Sequence, residues 1–352
     1  MKILAINPGS TSTKLAVYED EKLLFEETIR HADAEIMKLQ EMADQLPYSL
    51  ESIMEALRLK EFKPSELDAV VGRGGLLKPM DSGTYFVDHH LLEDARSGKY
   101  GNHASNLGSI IAAEIAETHH MPAYIVDPVC VDELIEEARI SGIADIERKS
   151  HVHALNIKAV SRKIAAEIGK DVDDTNFVVA HLGGGISVAA LRNGRIIDVN
   201  NAENEGPFSP ERAGGLPAKQ LVQLCFSGKY TEKELLQRMT KQGGIYSYLG
   251  TKNVIEVEQR VLAGDLEAAI ILKAMVHQIG KEIGAMATVL EGKMDGIILT
   301  GGIAHSEMIT GLIQEKISFL GKVFVLPGEA EMEALAAGAF RVMKGQEEAK
   351  IY

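Results

Sequence analysis

Residues 177–200 read F-V-V-A-H-L-G-G-G-I-S-V-A-A-L-R-N-G-R-I-I-D-V-N. The stretch contains three short apolar runs rich in β-branched residues, and glycine-containing turns separate them. The first turn contains Gly183 to Gly185, and the second contains Asn193 and Gly194, a pair typical of tight hairpins. The stretch therefore predicts three consecutive antiparallel strands.

The same plan occurs at the start of the chain. Lys2 to Ile6 form an apolar run, and residues 7–14 read N-P-G-S-T-S-T-K. Two further extended runs follow at 15–20 and 22–29, on either side of a polar reversal. A repeat half a chain apart indicates a duplicated domain, because a solenoid would repeat at a much shorter period.

Helical and strand patterns alternate after each three-strand unit. The first half continues with a strand at 69–75, a helix at 105–119 and a strand ending at Asp127. The second half has a helix that begins at the capping box Thr231-x-x-Glu234, a helix over 264–291, strands at 296–302 and 323–327, and a final helix over 330–344. This alternation predicts an α/β protein whose mixed sheets are flanked by helices.

Composition limits the classes of partner. The chain has 352 residues, enough for two domains, and a formal net charge of −14 argues against binding to nucleic acid or to an anionic membrane. The first residues predict a strand rather than a signal peptide, so we expect a cytoplasmic protein. The two cysteines, Cys130 and Cys225, are expected to be buried thiols.

Glycine-rich turns between strands suit phosphate binding, because small residues leave backbone N–H groups accessible to phosphate oxygens. A single glycine turn is more often a simple hairpin, so the prediction depends on the repetition of such turns in two similar halves. The chain has no G-x-x-x-x-G-K-[ST] segment, and the turn at 72–77 lacks the third glycine of a dinucleotide fingerprint. By analogy of fold, the duplicated hairpin units indicate the two-lobed ATPase architecture of actin, chaperone ATPases and sugar kinases.

Eight ordered segments resemble the acetate/butyrate kinase family, and within it the butyrate kinase branch, over essentially the whole chain. These segments are I-N-P-G-S-T-S-T-K at 6–14, V-V-G-R-G-G-L at 70–76, D-P-V at 127–129, H-V-H-A-L-N at 151–156, A-H-L-G-G-G-I-S at 180–187, E-G-P-F-S-P-E-R-A-G at 205–214, L-T-G-G-I-A at 299–304 and P-G-E-A-E-M-E-A-L-A at 327–336.

The resemblance implies duplicated ribonuclease-H-like domains of the actin type with a cleft between them. We expect an N-terminal lobe of residues 1–152 plus 336–352, and a nucleotide-binding lobe of residues 153–335. The implied reaction transfers the γ-phosphoryl group of ATP to the carboxylate of butyrate, isobutyrate or another branched short-chain acid. A homodimer or larger homo-oligomer is expected.

The resemblance also implies the catalytic residues. Arg73 and Arg212 match the family positions that hold the two anionic reactants, and a guanidinium suits this task because it binds carboxylate or phosphoryl oxygens in a bidentate manner. His153 is implied to donate a hydrogen bond to the transferring group. A carboxylate is already ionised at neutral pH, so no general base is expected.

Mg²⁺ requires hard oxygen ligands. Asp127 ends an apolar strand and matches a family carboxylate near the metal. A second ligand is expected from the acidic cluster Glu329, Glu331 and Glu333, of which the E-A-L-A match favours Glu333.

The remaining residues are assigned to the nucleotide and to the acid. Those implied for ATP are Asn7, Ser10, Ser12, His181, Gly183, Gly184, Gly185, Gly301 and Gly302. Related acetate kinases carry Asn at the position of Gly184, so one side-chain contact is expected to be lost there.

The acid is expected to contact Arg73, Gly75, Val152 and His103. Related acetate kinases carry Val at the position of Gly75 and Phe at that of Val152, so the two smaller residues predict room for a longer acyl chain. For Gly75, a requirement of the backbone turn is the competing explanation.

Three alternatives remain open. One is a member of the same family that acts on acetate or propionate. Another is an ATPase that uses nucleotide binding to drive a partner, although such a switch has no need of two arginines for a carboxylate. A polyphosphate phosphatase is the third, but it would need an extended basic channel, which the net charge of −14 does not favour.

Overall fold

The structure is a computed structural model. It describes residues 1–9, 12–31, 42–101 and 104–352. Ser10 and His103, two residues of the expected site, lie outside the described residues.

The chain divides into two compact units, which consist of residues 1–131 with 330–352 and of residues 132–329. Both divisions fall earlier in the chain than the expected 152/153 and 335/336. The segment after residue 131 belongs to the second unit because Glu133 accepts a hydrogen bond from the Ile196 backbone, and Arg148 bonds to Asp198 and to the Val199 carbonyl.

The first unit is built on a six-stranded mixed sheet of order β3-β2-β1-β4-β6-β5. The strands are β1 (Lys2–Pro8), β2 (Ser12–Glu19), β3 (Lys22–Arg30), β4 (Ala69–Arg73), β5 (Thr84–Phe86) and β6 (Ala123–Val126). The first three strands are antiparallel, whereas β4 runs parallel to β1 and to β6. Parallel strands end at the same edge of a sheet, so the carboxyl ends of β1, β4 and β6 lie together.

Helices of the first unit cover this sheet and bury its apolar side chains. They are α1 (Met42–Leu59), α2 (His89–Ser97), α3 (Asn106–His119) and α12 (Glu331–Met343). One core cluster includes Leu4, Ile6 and Val17 of the hairpin strands with Ile111 of α3, all fully buried. The helix α12 returns from the far end of the chain to pack on the same sheet.

The second unit repeats this plan with a five-stranded sheet of order β11-β10-β7-β8-β9. Its strands are β7 (Asn176–Leu182), β8 (Ile186–Arg192), β9 (Arg195–Val199), β10 (Gly296–Gly301) and β11 (Val323–Pro327). An antiparallel three-strand meander is again followed by two parallel strands. The predicted duplication of two mixed sheets is therefore confirmed.

The helices of the second unit are α4 (Glu136–Arg139), α5 (Ala154–Glu167), α6 (Ala218–Cys225), α7 (Glu232–Thr240), α8 (Gly244–Leu249), α9 (Val254–Leu262), α10 (Leu266–Val289) and α11 (Glu307–Ile317). The predicted capping box opens α7, because Thr231 and Glu234 bond to each other's backbone N–H groups. The long helix α10 packs Leu272, Met275 and Ile279 into a core cluster of this unit.

The two cysteines, both expected to be buried, differ in their exposure. Cys130 is buried as expected, but Cys225 at the end of α6 is exposed, because that helix has no buried residue. Within the described ranges, none of the helices combines the length and the apolar character that crossing a bilayer requires.

Candidate active site

In the first unit, three polar side chains meet beyond the carboxyl ends of β1 and β4. Arg73, the last residue of β4, places Nη1 2.7 Å from Oε1 of Glu331. Asn7 of β1 donates from Nδ2 to Oε2 of Glu331 at 2.6 Å, and its Oδ1 accepts from Arg73 Nη1 at 3.4 Å. The Arg73 side chain is only 19% exposed, and Glu331 and Asn7 both contact its guanidinium.

Asp127 follows β6 at the same edge of this sheet and is almost fully buried. Its Oδ1 accepts a hydrogen bond from the Gly83 backbone N–H at 2.8 Å, and its φ angle is +39°. A left-handed φ is uncommon for a residue other than glycine and is found where surrounding structure enforces it. The carboxylate is therefore held in a defined place.

Glu333 occupies a different part of the first unit from Glu331. It lines a small depression with Tyr18, Glu21 and Arg341. Burial, with smaller contributions from the Glu26 and Glu333 carboxylates, raises the pKa of Tyr18 to about 12. Of the two carboxylates, Glu331 is the one that contacts Asn7 and Arg73.

Gly75 lies against Asn106, the first residue of α3. A Cβ atom at this position would lie 1.9 Å from Oδ1 of Asn106 and 2.5 Å from its backbone nitrogen. Asn106 is held there because its Oδ1 accepts from the Leu76 N–H at 2.7 Å. The glycine therefore permits close approach of α3, and neither a positive φ nor an acyl chain is needed to explain it.

In the second unit, the turn between β7 and β8 lies against Arg212. A Cβ atom on Gly185 would come within 2.4 Å of Arg212 Nη1, so the glycine leaves the space that the guanidinium occupies. Nη1 also donates to the Ala202 carbonyl at 3.0 Å. The Ser209 hydroxyl connects the turn to the Arg212 loop, since it donates to the Gly184 carbonyl and accepts from the Arg212 N–H.

Three other glycines of the expected nucleotide site, Gly301, Gly302 and Gly184, differ in how closely other atoms approach them. Gly301, at the end of β10, has a φ angle of +89°, and a Cβ atom there would lie 2.4 Å from the Leu182 carbonyl oxygen. A Cβ on Gly302 would meet no atom within 4 Å. A Cβ on Gly184 would lie 3.2 Å from Glu211 Oε1, and Glu211 is paired with Lys252.

The two predicted histidines are in direct contact. The rings of His153 and His181 stack with centroids 3.9 Å apart and an interplanar angle of 9°. Nδ1 of His153 lies 2.9 Å from the Ser187 hydroxyl. Because His153 precedes α5 and His181 lies near the end of β7, the stack joins two elements at the edge of the sheet where the glycine turn lies.

Two predicted residues have simpler surroundings. Ser12 is the first residue of β2, and its carbonyl accepts from the Gly9 N–H at 2.8 Å. Val152 is buried immediately before His153.

The structure adds contacts that the motifs alone did not assign. Asn156, at the end of the quoted 151–156 segment, bonds to His181 and Thr300. Ser187 and Ser209 also lie in quoted segments, and their hydroxyls contact His153 and Arg212. The sequence indicated these residues only by placing them in the quoted segments. It could not indicate their partners, which are distant in the chain.

These arrangements suit the binding of anions. The first unit presents a guanidinium and an amide beside carboxylates, and the second presents a guanidinium, backbone N–H groups and two imidazoles beside a glycine turn. Such donors stabilise phosphate and carboxylate groups through charge-assisted hydrogen bonds.

Comparisons with known proteins agree with these features. The model of the Acetokinase family matches residues 144–334, more than half of the chain. Two proteins of Clostridium acetobutylicum, described as Butyrate kinase 2 and Butyrate kinase 1, are each 52% identical over 352 residues, covering 100% of this chain and 99% of the relative.

The solved structures support the fold. The crystal structure of an acetate kinase from Porphyromonas gingivalis superposes with a TM-score of 0.81 at 18% identity, over 97% of this chain and 99% of that chain. This likeness confirms the predicted actin-type fold of two mixed sheets flanked by helices. The family model and the two relatives, which match over the full chain, establish that the chain belongs to the acetokinase family.

Proposed function

We propose that this protein phosphorylates butyrate, or a branched short-chain relative, with ATP to give the acyl phosphate and ADP. The observation that carries the proposal is the 52% identity, over the full chain, to two proteins described as butyrate kinases. In the reaction, a carboxylate oxygen of the acid forms a bond to the γ-phosphorus, and the bond from that phosphorus to the bridging oxygen breaks. The electron pair leaves with ADP.

Each arginine has a role in this proposal. Arg73, kept in place by Glu331 and Asn7, binds the carboxylate of the acid. Arg212, which lies over Gly185, stabilises the negative charge on the transferring phosphoryl group. Fixed charges of this kind lower the barrier because they are oriented before the reaction begins.

The nucleotide is assigned to the second unit. The turn of Gly183 to Gly185 is assigned to the phosphates, with the N–H groups of Gly184 and Gly185 as donors, because the Gly183 N–H donates to the Gly185 carbonyl. Gly301 and Gly302 are assigned to the adenosine. The open space beside Gly302 is compatible with a bound ligand, since among the described residues no atom beyond the chain neighbours lies within 4 Å of a Cβ built there.

Mg²⁺ fits the carboxylates of the first unit. Asp127 is buried and held by a backbone N–H group, and it supplies the hard oxygen that this ion prefers. Glu331 is a second candidate, in addition to the expected Glu333, because it lies beside Asn7 and Arg73. When bound, the ion would neutralise charge on the phosphates.

A coupled assay tests the activity and the choice of acid. The protein is incubated with ATP, Mg²⁺ and one of acetate, propionate, butyrate, isobutyrate or valerate, and the acyl phosphate is trapped as its hydroxamate. We expect product only with ATP and a divalent metal, and the highest kcat/KM with a four-carbon acid. A highest kcat/KM with acetate or propionate would reassign the substrate, and ATP hydrolysis unaffected by any acid would contradict the proposal.

Variants of Arg212 test the role of the bidentate guanidinium in the same assay. Arg212→Ala is expected to lower kcat by about two to three orders of magnitude, as for removal of other fixed donors at a transition state. Arg212→Lys keeps the charge but loses the planar pair of donors, so it should recover only part of the activity. Near-normal turnover in Arg212→Ala would exclude this residue from the site.

We further propose a cytoplasmic location and a homodimer or larger homo-oligomer, which the family resemblance implies. Light scattering coupled to size-exclusion chromatography measures the mass directly, and a monomer would contradict the second point.

A further inference from the structure

Asn156 is a buried polar residue to which the proposed reaction gives no role. It lies in the first turn of α5 with only 2% of its surface exposed. Its Nδ2 lies 2.9 Å from Nδ1 of His181 on β7 and donates to the Thr300 hydroxyl on β10 at 3.1 Å. One amide thus connects a helix to two neighbouring strands at the edge where the glycine turn lies.

The hydrogens of this amide determine which nitrogen of His181 accepts. An NH₂ group has two hydrogens, and the two contacts use both of them. Nδ1 of His181 must then be unprotonated, because a protonated Nδ1 would oppose an Asn156 N–H. A neutral imidazole with Nδ1 as acceptor carries its proton on Nε2.

The surroundings of Nε2 support the same tautomer. Oε1 of Glu329 lies 3.1 Å from Nε2, a separation at which a carboxylate would repel an unprotonated nitrogen. A reversed Asn156 amide would require either an unprotonated Nε2 against this carboxylate or a ring protonated on both nitrogens. Both neighbours of the ring therefore favour the proton on Nε2.

Nε2 lies beside the glycine turn. A Cβ atom built on Gly183 would lie 3.3 Å from Nε2. Nε2 is buried, and within the described part of the chain it has no hydrogen-bond partner in good alignment. A buried donor whose nearest acceptor, Glu329, is poorly aligned is costly, and a functional reason is to be expected for it.

We propose that Asn156 is a positioning residue that holds His181 as its Nε2–H tautomer, so that this ring donates to a phosphate oxygen at the glycine turn. The assignment of the phosphate rests on the proposed function, whereas the assignment of the tautomer does not. Asn156 acts through His181 and does not itself contact the nucleotide.

The tautomer can be measured without nucleotide or substrate. Long-range ¹H–¹⁵N spectra of the ¹⁵N-labelled full-length protein distinguish a protonated ring nitrogen from an unprotonated one, and His181→Gln identifies the signals of this ring. We expect a protonated Nε2 and an unprotonated Nδ1 in the wild-type protein. The reverse pattern would overturn the proposal, whatever the variants do.

The variant Asn156→Asp then tests whether the amide of Asn156 sets the tautomer of His181. Aspartate has nearly the same shape but only accepts hydrogen bonds, so it should draw a proton to Nδ1 of His181. We expect the Nδ1 signal to become that of a protonated nitrogen and kcat for acyl phosphate formation to fall by about a hundredfold, the scale of losing one fixed donor. The KM for butyrate should change little, because the acid is assigned to Arg73. An unchanged His181 spectrum in this variant would overturn the proposal.

Two controls separate this role from a structural one. Ser161→Ala removes another buried polar group of α5, whose hydroxyl donates to the Ile157 carbonyl of the same helix. This variant should keep both the wild-type His181 spectrum and the wild-type kcat. A shifted proton with unchanged kcat in Asn156→Asp would overturn the phosphate role of His181. A wild-type protein that forms no acyl phosphate would instead contradict the proposed function while leaving the tautomer measurement valid.

Discussion

Glu331 shows how a single residue acquires its environment from a contact across the chain. Its carboxylate accepts from Asn7, 324 positions away, and forms an ion pair with Arg73. Glu333 is two positions further along the same helix, yet it lies near Tyr18. Residues two apart on a helix point in directions about 200° apart, given the 3.6 residues per turn, so the two carboxylates face different surroundings.

Gly75 gives a prediction at the same scale. A Cβ atom in Gly75→Ala would overlap Asn106, including its backbone nitrogen at 2.5 Å, so α3 must shift. We expect the free energy of unfolding of the first unit to fall by about 2 kcal/mol or more, which is typical of overpacking a close contact. Denaturant unfolding followed by circular dichroism measures the change.

A control for this substitution is Gly284→Ala in α10. No atom lies within 4 Å of a Cβ built there, so alanine should stabilise the helix by about 0.5–1 kcal/mol. Turnover of acetate and butyrate by Gly75→Ala provides a second measurement. Equal losses for both acids are expected if Gly75 serves helix packing, whereas a selective loss for butyrate would restore the acyl-pocket interpretation.

At the scale of elements, α5 is anchored by a buried ion pair as well as by Asn156. Lys158 Nζ donates to Glu133 Oε2 at 2.7 Å and to the Gly194 carbonyl at 2.6 Å. Glu133 Oε2 also accepts from the Ile196 N–H. These bonds connect α5 to the β8–β9 turn and to the segment that precedes α4.

Removing one partner of this ion pair should lower the free energy of unfolding considerably. The side chains of Lys158 and Glu133 are only 4% and 1% exposed. Lys158→Met would leave Glu133 charged and buried, and we expect a loss of about 3–5 kcal/mol in the free energy of unfolding. Calorimetry or denaturant unfolding of the second unit would measure it.

A double variant and a surface pair are the controls. Adding Glu133→Gln to Lys158→Met removes the uncompensated charge but keeps an acceptor for Ile196, so part of the loss should return. Lys170→Met breaks an exposed ion pair with Asp295 and should cost less than about 1 kcal/mol. Similar losses in Lys158→Met and Lys170→Met would show that the buried pair contributes no more than a surface contact.

At the scale of the whole molecule, the two units differ in chain continuity. The second unit is one continuous segment, residues 132–329, whereas the first needs residues 330–352 to return from the far end. Within those last residues, α12 buries Met332, Leu335 and Phe340. The second unit has a core cluster of its own.

This difference predicts how isolated fragments behave. Residues 132–329 expressed alone should fold and unfold cooperatively, because a continuous unit with its own core meets the requirements of an independent domain. Residues 1–131 alone should not, since they lack α12. Circular dichroism and thermal unfolding of both fragments test this, and a cooperative transition in 1–131 would show that α12 is dispensable for the first unit.

The sequence by itself determined the two three-strand units, several of the helices and the duplication, and its family resemblance gave the reaction class. Strand alternation, glycine turns and the Thr231 capping box are local patterns, because each depends on residues that are close in the chain. The resemblance in eight segments identified the family, which the comparisons confirmed.

Only the tertiary structure decided which side chains meet. The pairing of Arg73 with Glu331, the packing of Asn106 against Gly75 and the bond from Asn156 to His181 join residues separated by 258, 31 and 25 positions. No local pattern records such contacts, because they form only when strands and helices pack into a sheet-centred core. The division after residue 131 was decided in the same way, since Glu133 and Arg148 bond to β9 and the residues around it.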